Sequence, residues 1–155
     1  MMEKENFATI TVQRKWFGAS QIDFTTSFGD DYQLLELVGF RLDKAGKPVY
    51  CGGDSVQKPL YKGQPVTQRH PVVKPYPFAI QIPGYADIQV CQPKWHQPQW
   101  TVVVDQQIKA KLEFTSQGFS RREHYKLLIT DKVDQDLMLF VLMLMFERLN
   151  DSSGS

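Results

Sequence analysis

The sequence lacks an apolar run long enough to cross a membrane as a helix. Its longest, LMLFVLMLMF at residues 137–146, is ten residues, against the roughly 20 that a spanning helix needs. Cysteine is scarce: Cys51 and Cys91 stand far apart and neither belongs to a CxxC pair. That spacing excludes a structural zinc framework and a disulfide-dense secreted scaffold. The opening residues are charged and then alternating, unlike a signal peptide. The expected location is therefore cytoplasmic, with both thiols free and with peripheral membrane contact left open. Histidine is equally sparse: His70, His96 and His124 show no HxH or HxxxH spacing, and read as solvated residues rather than metal ligands.

Signatures of catalysis are missing too. Ser27, Ser55 and Ser120 have no nucleophile-elbow context. Gly52-Gly53-Asp54-Ser55 is not followed by the GK[ST] of a phosphate loop. Glu123 and His124 could form an acid–base pair only if adjacent strand residues shared a face, which they do not. The expectation is a protein that is not an enzyme and holds no cofactor and no metal. Excess charge is absent as well: 18 Lys and Arg against 17 Asp and Glu leave a formal net charge of +1. Nucleic acid is thereby an unexpected partner, since nonspecific binding to it needs a cationic surface.

What remains is globular. A chain of 155 residues, 42% hydrophobic and 23% charged, suits a single domain with a sizeable core. Its expected extent is 1–155, with an ordered core over 7–150 and a long irregular loop over 55–77, where Pro59, Pro65, Pro71, Pro75 and Pro77 block central strand pairing.

The run at 137–146 organises the chain. Leu and Met are good helix formers. Asp131, Asp134 and Asp136 offer N-cap oxygens and suit the positive end of a helix dipole. Ten successive apolar residues cover every side of a helix, so such a helix must be buried all round. A core helix is preferred over a membrane-inserting tail or a buried strand on grounds of length.

Ahead of it the period is two. Strand composition is found at 7–13, 20–28 and 32–42, the last with Gly39 as a bulge or close approach. It recurs at 48–51, 78–82, 86–91, 100–104, 108–114 and 125–130. Turns are expected at 43–47, 83–85, 105–107 and 117–118. Nine or more short strands need an apolar object to face, and the helix needs a complete wrapper. A closed antiparallel β-barrel around the hydrophobic C-terminal α-helix satisfies both.

Two stretches carry a family likeness. One runs from Ile129-Thr130-Asp131 through the 137–146 run to Arg148-Leu149. The other is Leu42-Asp43-Lys44-Ala45-Gly46-Lys47-Pro48-Val49-Tyr50, a D-x-x-G-x-x-x-Y hairpin. Together they resemble the tubby C-terminal-domain-like superfamily, which includes tubby proteins, phospholipid scramblases and LURP-one-related proteins. The resemblance implies a barrel of about twelve strands around the helix. It also implies lipid as a ligand class, because tubby members bind phosphoinositides through a basic cluster and scramblases are tied to lipid movement and calcium. Neither family site matches positions here.

The candidate site residues come from composition. Arg14 and Lys15 beside Trp16-Phe17, with Arg121, Arg122 and Lys126, would form an anion or lipid patch if they share one surface. Alternatively each is an ordinary strand end with local ion pairs. Trp95, His96 and Trp100 would supply a partner surface, or cap a barrel mouth. The functional expectation is a non-enzymatic binding protein engaging an anionic phospholipid headgroup. The alternative is a protein-interaction scaffold using the 55–77 loop and the Trp95–Trp100 segment. An internal small-molecule site is disfavoured, because the helix should fill the lumen.

Overall fold

A computed structural model describes residues 6–15, 18, 20–27, 31–36, 40–52, 58–69, 78–92, 98–117, 119, 121–130 and 134–153. The fold is mainly β with a C-terminal helix. Thirteen strands are described: β1 (Asn6–Gln13), β2 (Gln21–Thr26), β3 (Tyr32–Glu36), β4 (Phe40–Lys44), β5 (Lys47–Cys51), β6 (Leu60–Tyr61), β7 (Gln64–Pro65), β8 (Thr67–Arg69), β9 (Phe78–Gln81), β10 (Ile88–Cys91), β11 (Gln99–Val104), β12 (Gln107–Gln117) and β13 (Arg122–Ile129). They precede the helix α1 (Gln135–Ser153).

All pairings are antiparallel. The strands form an eight-stranded sheet, β2-β1-β13-β12-β11-β10-β9-β8, and a five-stranded sheet, β3-β4-β5-β6-β7. Among the described residues no ladder joins the two, so the sheets are not closed into a barrel by hydrogen bonds. The open edges are nonetheless consecutive in the chain. β2 and β3 end the two sheets at one seam, and β7 and β8 end them at the other, with Val66 alone between β7 and β8.

The helix lies between the sheets. Residues 137–146 are all buried, from Leu137 at 7% exposure to Phe146 at 0%, as an all-apolar helix requires. Phe140 packs edge-on against Tyr50 of β5 and Tyr61 of β6. Phe146 meets Phe40 of β4 and Tyr125 of β13. Ala8, Ile10 and Val12 of β1 and Tyr125, Leu127 and Ile129 of β13 point the same way, in register as Ala8↔Leu127 and Ile10↔Tyr125. Asp134 caps the helix: its Oδ1 accepts from the Leu137 amide at 3.2 Å. At its other end α1 passes so close to Gly52 that a Cβ there would stand 2.6 Å from Glu147 Oε1 and 3.2 Å from the Phe40 carbonyl oxygen.

Several expectations change in detail. The apolar stretch 32–42 is not one strand. The chain reverses between Glu36 and Phe40, which face each other at the end of the β3–β4 ladder. The hairpin expected at 108–114 and 125–130 is longer, because β12 continues to Gln117 and β13 starts at Arg122. The proline-rich stretch carries short strands β6, β7 and β8, of which β7 and β8 are sheet edges. The turn at 43–47 is tight, with Ala45 and Gly46 both at positive φ (50° and 81°), the geometry of a type I′ hairpin. Cys51 and Cys91 are unpaired thiols, and burial pushes the Cys91 thiol up from its ordinary value.

Candidate functional site

Two places on the molecule gather cations. The first is the end of the larger sheet where β1 leaves and β13 enters. Gln13 pairs with Arg122, and the Arg14 amide donates to the Arg121 carbonyl at 3.0 Å. The β1–β2 loop and the β12–β13 turn are therefore neighbours, which brings the backbones of Arg14 and Arg121 together.

Their side chains do different things. Arg14 turns to Glu123: Nε and Nη2 donate to the two carboxylate oxygens at 2.8 and 3.2 Å. That hydrogen bond holds its guanidinium pKa above the ordinary value. Tyr125 donates to the same carboxylate at 3.0 Å. Burial, then Glu123, raises the Tyr125 phenol. Arg14 thus serves the sheet, as a partner for a buried acid. Lys15 and Arg122 are exposed and Arg121 is half-buried; Arg122 Nε donates to Gln13 Oε1 at 3.3 Å. Lys126 lies four residues further along β13, about 13 Å away, with its Nζ 5.5 Å from the Phe7 ring centroid.

Among these cations stands a residue that the sequence reading passed over. Phe119, in the turn before Arg121, is fully exposed. Its signal was an aromatic next to Gly118 in a turn, easily taken for a strand end that packs inward. Trp16 and Phe17 lie outside the described residues.

Of the proposed partner surface only Trp100 lies among the described residues. Trp100 is buried at 5% exposure on the inner side of β11; Trp95 and His96 lie outside the described residues. His124 faces outward, with Nδ1 3.1 Å from Thr11 Oγ1, whereas Glu123 faces the core. The two do not form an acid–base pair.

The second place was not foreseen at all. At the start of α1 a cavity of about 420 Å³ is lined by Lys44, Lys47, Pro48, Val49, Lys62, Gly63 and Asp136. Two tight turns build it. Lys44 and Lys47 flank the Ala45-Gly46 turn, and Lys62 with Gly63 forms a second turn with φ of 48° and 83°. The Lys62 amide donates to the Val49 carbonyl at 3.1 Å, and the Ala45 amide to the Asp31 carbonyl at 3.0 Å, so both turns are anchored to neighbouring strands.

Asp136 is the hub. Its Oδ2 lies 3.0 Å from Lys62 Nζ and its Oδ1 3.4 Å from Lys44 Nζ, and the Tyr32 hydroxyl donates to Oδ1. Burial alone would raise its pKa. Hydrogen bonds from Tyr32 and Lys62, helped by both ammonium charges, hold it below the ordinary carboxylate value. Burial and the same hydrogen bond raise the Tyr32 phenol.

No cluster of His, Cys, Asp and Glu suited to a metal occurs among the described residues, and none of their helices is long and apolar enough to cross a membrane. The fold and these two cationic places define an antiparallel β protein of two sheets packed around a buried helix. No protein-family model, curated protein or solved structure matches the chain.

Proposed function

We propose that the protein is a non-enzymatic binding module that docks on an anionic membrane surface through the end of its larger sheet. One observation carries the reading: Phe119 is fully exposed at a turn whose neighbours include Lys15, Arg121 and Arg122. An exposed aromatic ring in a turn followed by two arginines suits an interface where hydrocarbon begins beneath negative headgroups. Burying one phenylalanine is worth about 1.5–3 kcal/mol, and each cation near such a surface about 1 kcal/mol. The sum, about 5 kcal/mol, corresponds to sub-millimolar, reversible attachment.

The chain order around the helix supports the tubby-like reading of the fold. The strands run β2, β1, β13 to β8, then β7 to β3, and so return to β2. We read this as a barrel of that kind whose two seams are bridged by chain rather than by ladder. A lumen filled by Phe140, Leu142 and Phe146 favours work done on the outside.

The test is sedimentation with neutral and with phosphatidylserine-containing vesicles at low and high salt. Binding should occur only on the anionic vesicles and fall with salt. Phe119→Ser should weaken it about tenfold or more, and Arg122→Gln about fivefold. Equal sedimentation of both variants, or none by the native protein, overturns the reading and leaves a protein partner as the class to pursue.

A further inference from the structure

The second cationic place is independent of the membrane-facing end. β13 enters at Arg122 beside Phe119 and leaves at Ile129, seven residues on, and α1 begins shortly after it. The lysine-lined cavity therefore lies at the far end of β13 from Phe119, about 23 Å along the strand.

We infer that this cavity is a binding site for a phosphomonoester group. Three ammonium groups and one carboxylate line it, which leaves the lining two positive charges in excess. A dianionic phosphate would neutralise that excess. Asp31 and Asp134 lie near by but do not line the cavity; the Asp134 carboxylate accepts from the Leu137 amide at the helix cap.

The donors are suitably arranged. A lysine carries three N–H donors and no acceptor. Lys44 and Lys62 each use one toward Asp136 and keep others for a ligand. Lys47 is exposed and makes no ion pair among the described residues. Asp136 holds two of the ammonium groups in place before a ligand arrives, which reduces the ordering cost of binding. Pro48, Val49 and Gly63 form the rest of the lining and leave room for a small organic body behind the phosphate. A volume of about 420 Å³ is within the range of small-molecule clefts. A dianionic phosphate matches the two-charge excess of the lining, whereas a single carboxylate would leave one positive charge uncompensated, which favours phosphate as the anion.

The phosphomonoester could be soluble or borne by a lipid, so the experiment has two arms. In the first, glycerol 3-phosphate is titrated into the full chain and followed by calorimetry and by amide chemical shifts. Saturable binding is expected, with shifts concentrated at residues 44–49 and 62–63. The Lys47→Gln and Lys62→Gln double variant should weaken it by about a hundredfold, because each lost charge-assisted hydrogen bond is worth about tenfold. Lys47→Gln alone, which touches no ion pair, keeps the test valid should the double variant unfold.

In the second arm, phosphatidic acid vesicles are sedimented with native, Lys47→Gln and Phe119→Ser protein. Sensitivity to Lys47→Gln together with competition by glycerol 3-phosphate assigns a lipid-borne group. A response to glycerol 3-phosphate alone assigns a soluble one. Absence of saturable binding in both arms, or binding that both lysine variants retain in full, overturns the inference. Neither result depends on the Phe119 reading.

Discussion

Phe140→Ala probes how tightly the sheets enclose the helix. The Phe140 side chain is fully buried. Its ring centroid lies 5.5 Å from that of Tyr50 and 5.1 Å from that of Tyr61, at interplanar angles of 60° and 63°. Truncating a core phenylalanine costs about 3–5 kcal/mol through lost transfer energy and the cavity left behind. Loss of two edge-to-face contacts, each worth about 0.5–1.5 kcal/mol, keeps the value off the lower end of that range. We expect about 4 kcal/mol, a large part of the 5–15 kcal/mol that holds a typical domain together. With a urea slope of about 2 kcal/mol/M, the unfolding midpoint should fall by about 2 M. Phe140→Leu should lose no more than about 1.5 kcal/mol. Phe119→Ala provides the internal control, because an exposed side chain should change stability by less than about 0.5 kcal/mol. A midpoint shift for Phe140→Ala as small as that of Phe119→Ala, at unchanged slope, would refute the enclosed helix.

Two other outcomes follow from the ion pairs. Asp136 is held below its ordinary pKa, so its stabilising contribution is complete above the unfolded value of about 3.9 and is lost as pH falls through the folded value. Asp136→Asn should therefore be less stable than the native protein at pH 7, and the gap should narrow as pH falls below about 4; urea midpoints at pH 7 and 3 check this, and a gap at pH 3 as wide as that at pH 7 contradicts it. Glu123→Ala removes the acceptor for both Arg14 and the Tyr125 hydroxyl. It should cost about 2–3 kcal/mol in the same assay, and a neutral result would mean that this network contributes nothing to the sheet.

Residues 137–146 disclosed the centre of the fold because nothing polar interrupts them, and a helix made of them has only one kind of place to go. The turn at 43–47 was legible for an equally local reason, since Gly46 accepts the positive φ that a tight hairpin requires. Failures arose where the cause was not local. Residues 32–42 are rich in apolar residues on both sides of Glu36, so composition did not mark the reversal between β3 and β4. Thr115, Ser116 and Gln117 opposite Arg122, Glu123 and His124 look like loop, yet they extend a hairpin whose neighbours supply the pairing. The basic cluster was read from composition, but Arg14 has a buried carboxylate to satisfy, and Lys126 lies well along β13 from the turn. The lysine cavity left no sequence trace. It exists because residues 44–47, 62–63 and 136 converge, and their separations in the chain say nothing of that.

The position of α1 in the chain order also bears on how the molecule comes to exist. β1 pairs with β13 along its whole length, so the N-terminal strand waits for a partner more than a hundred residues downstream. The helix that fills the space between the sheets is made later still. During synthesis both sheets therefore have bare inner faces, and a nascent chain stopped before residue 135 has strands but no core. Such long-range pairing is slow to form and exposes apolar surface while it waits. The two sheets therefore gain a common core only once the helix between them has been made.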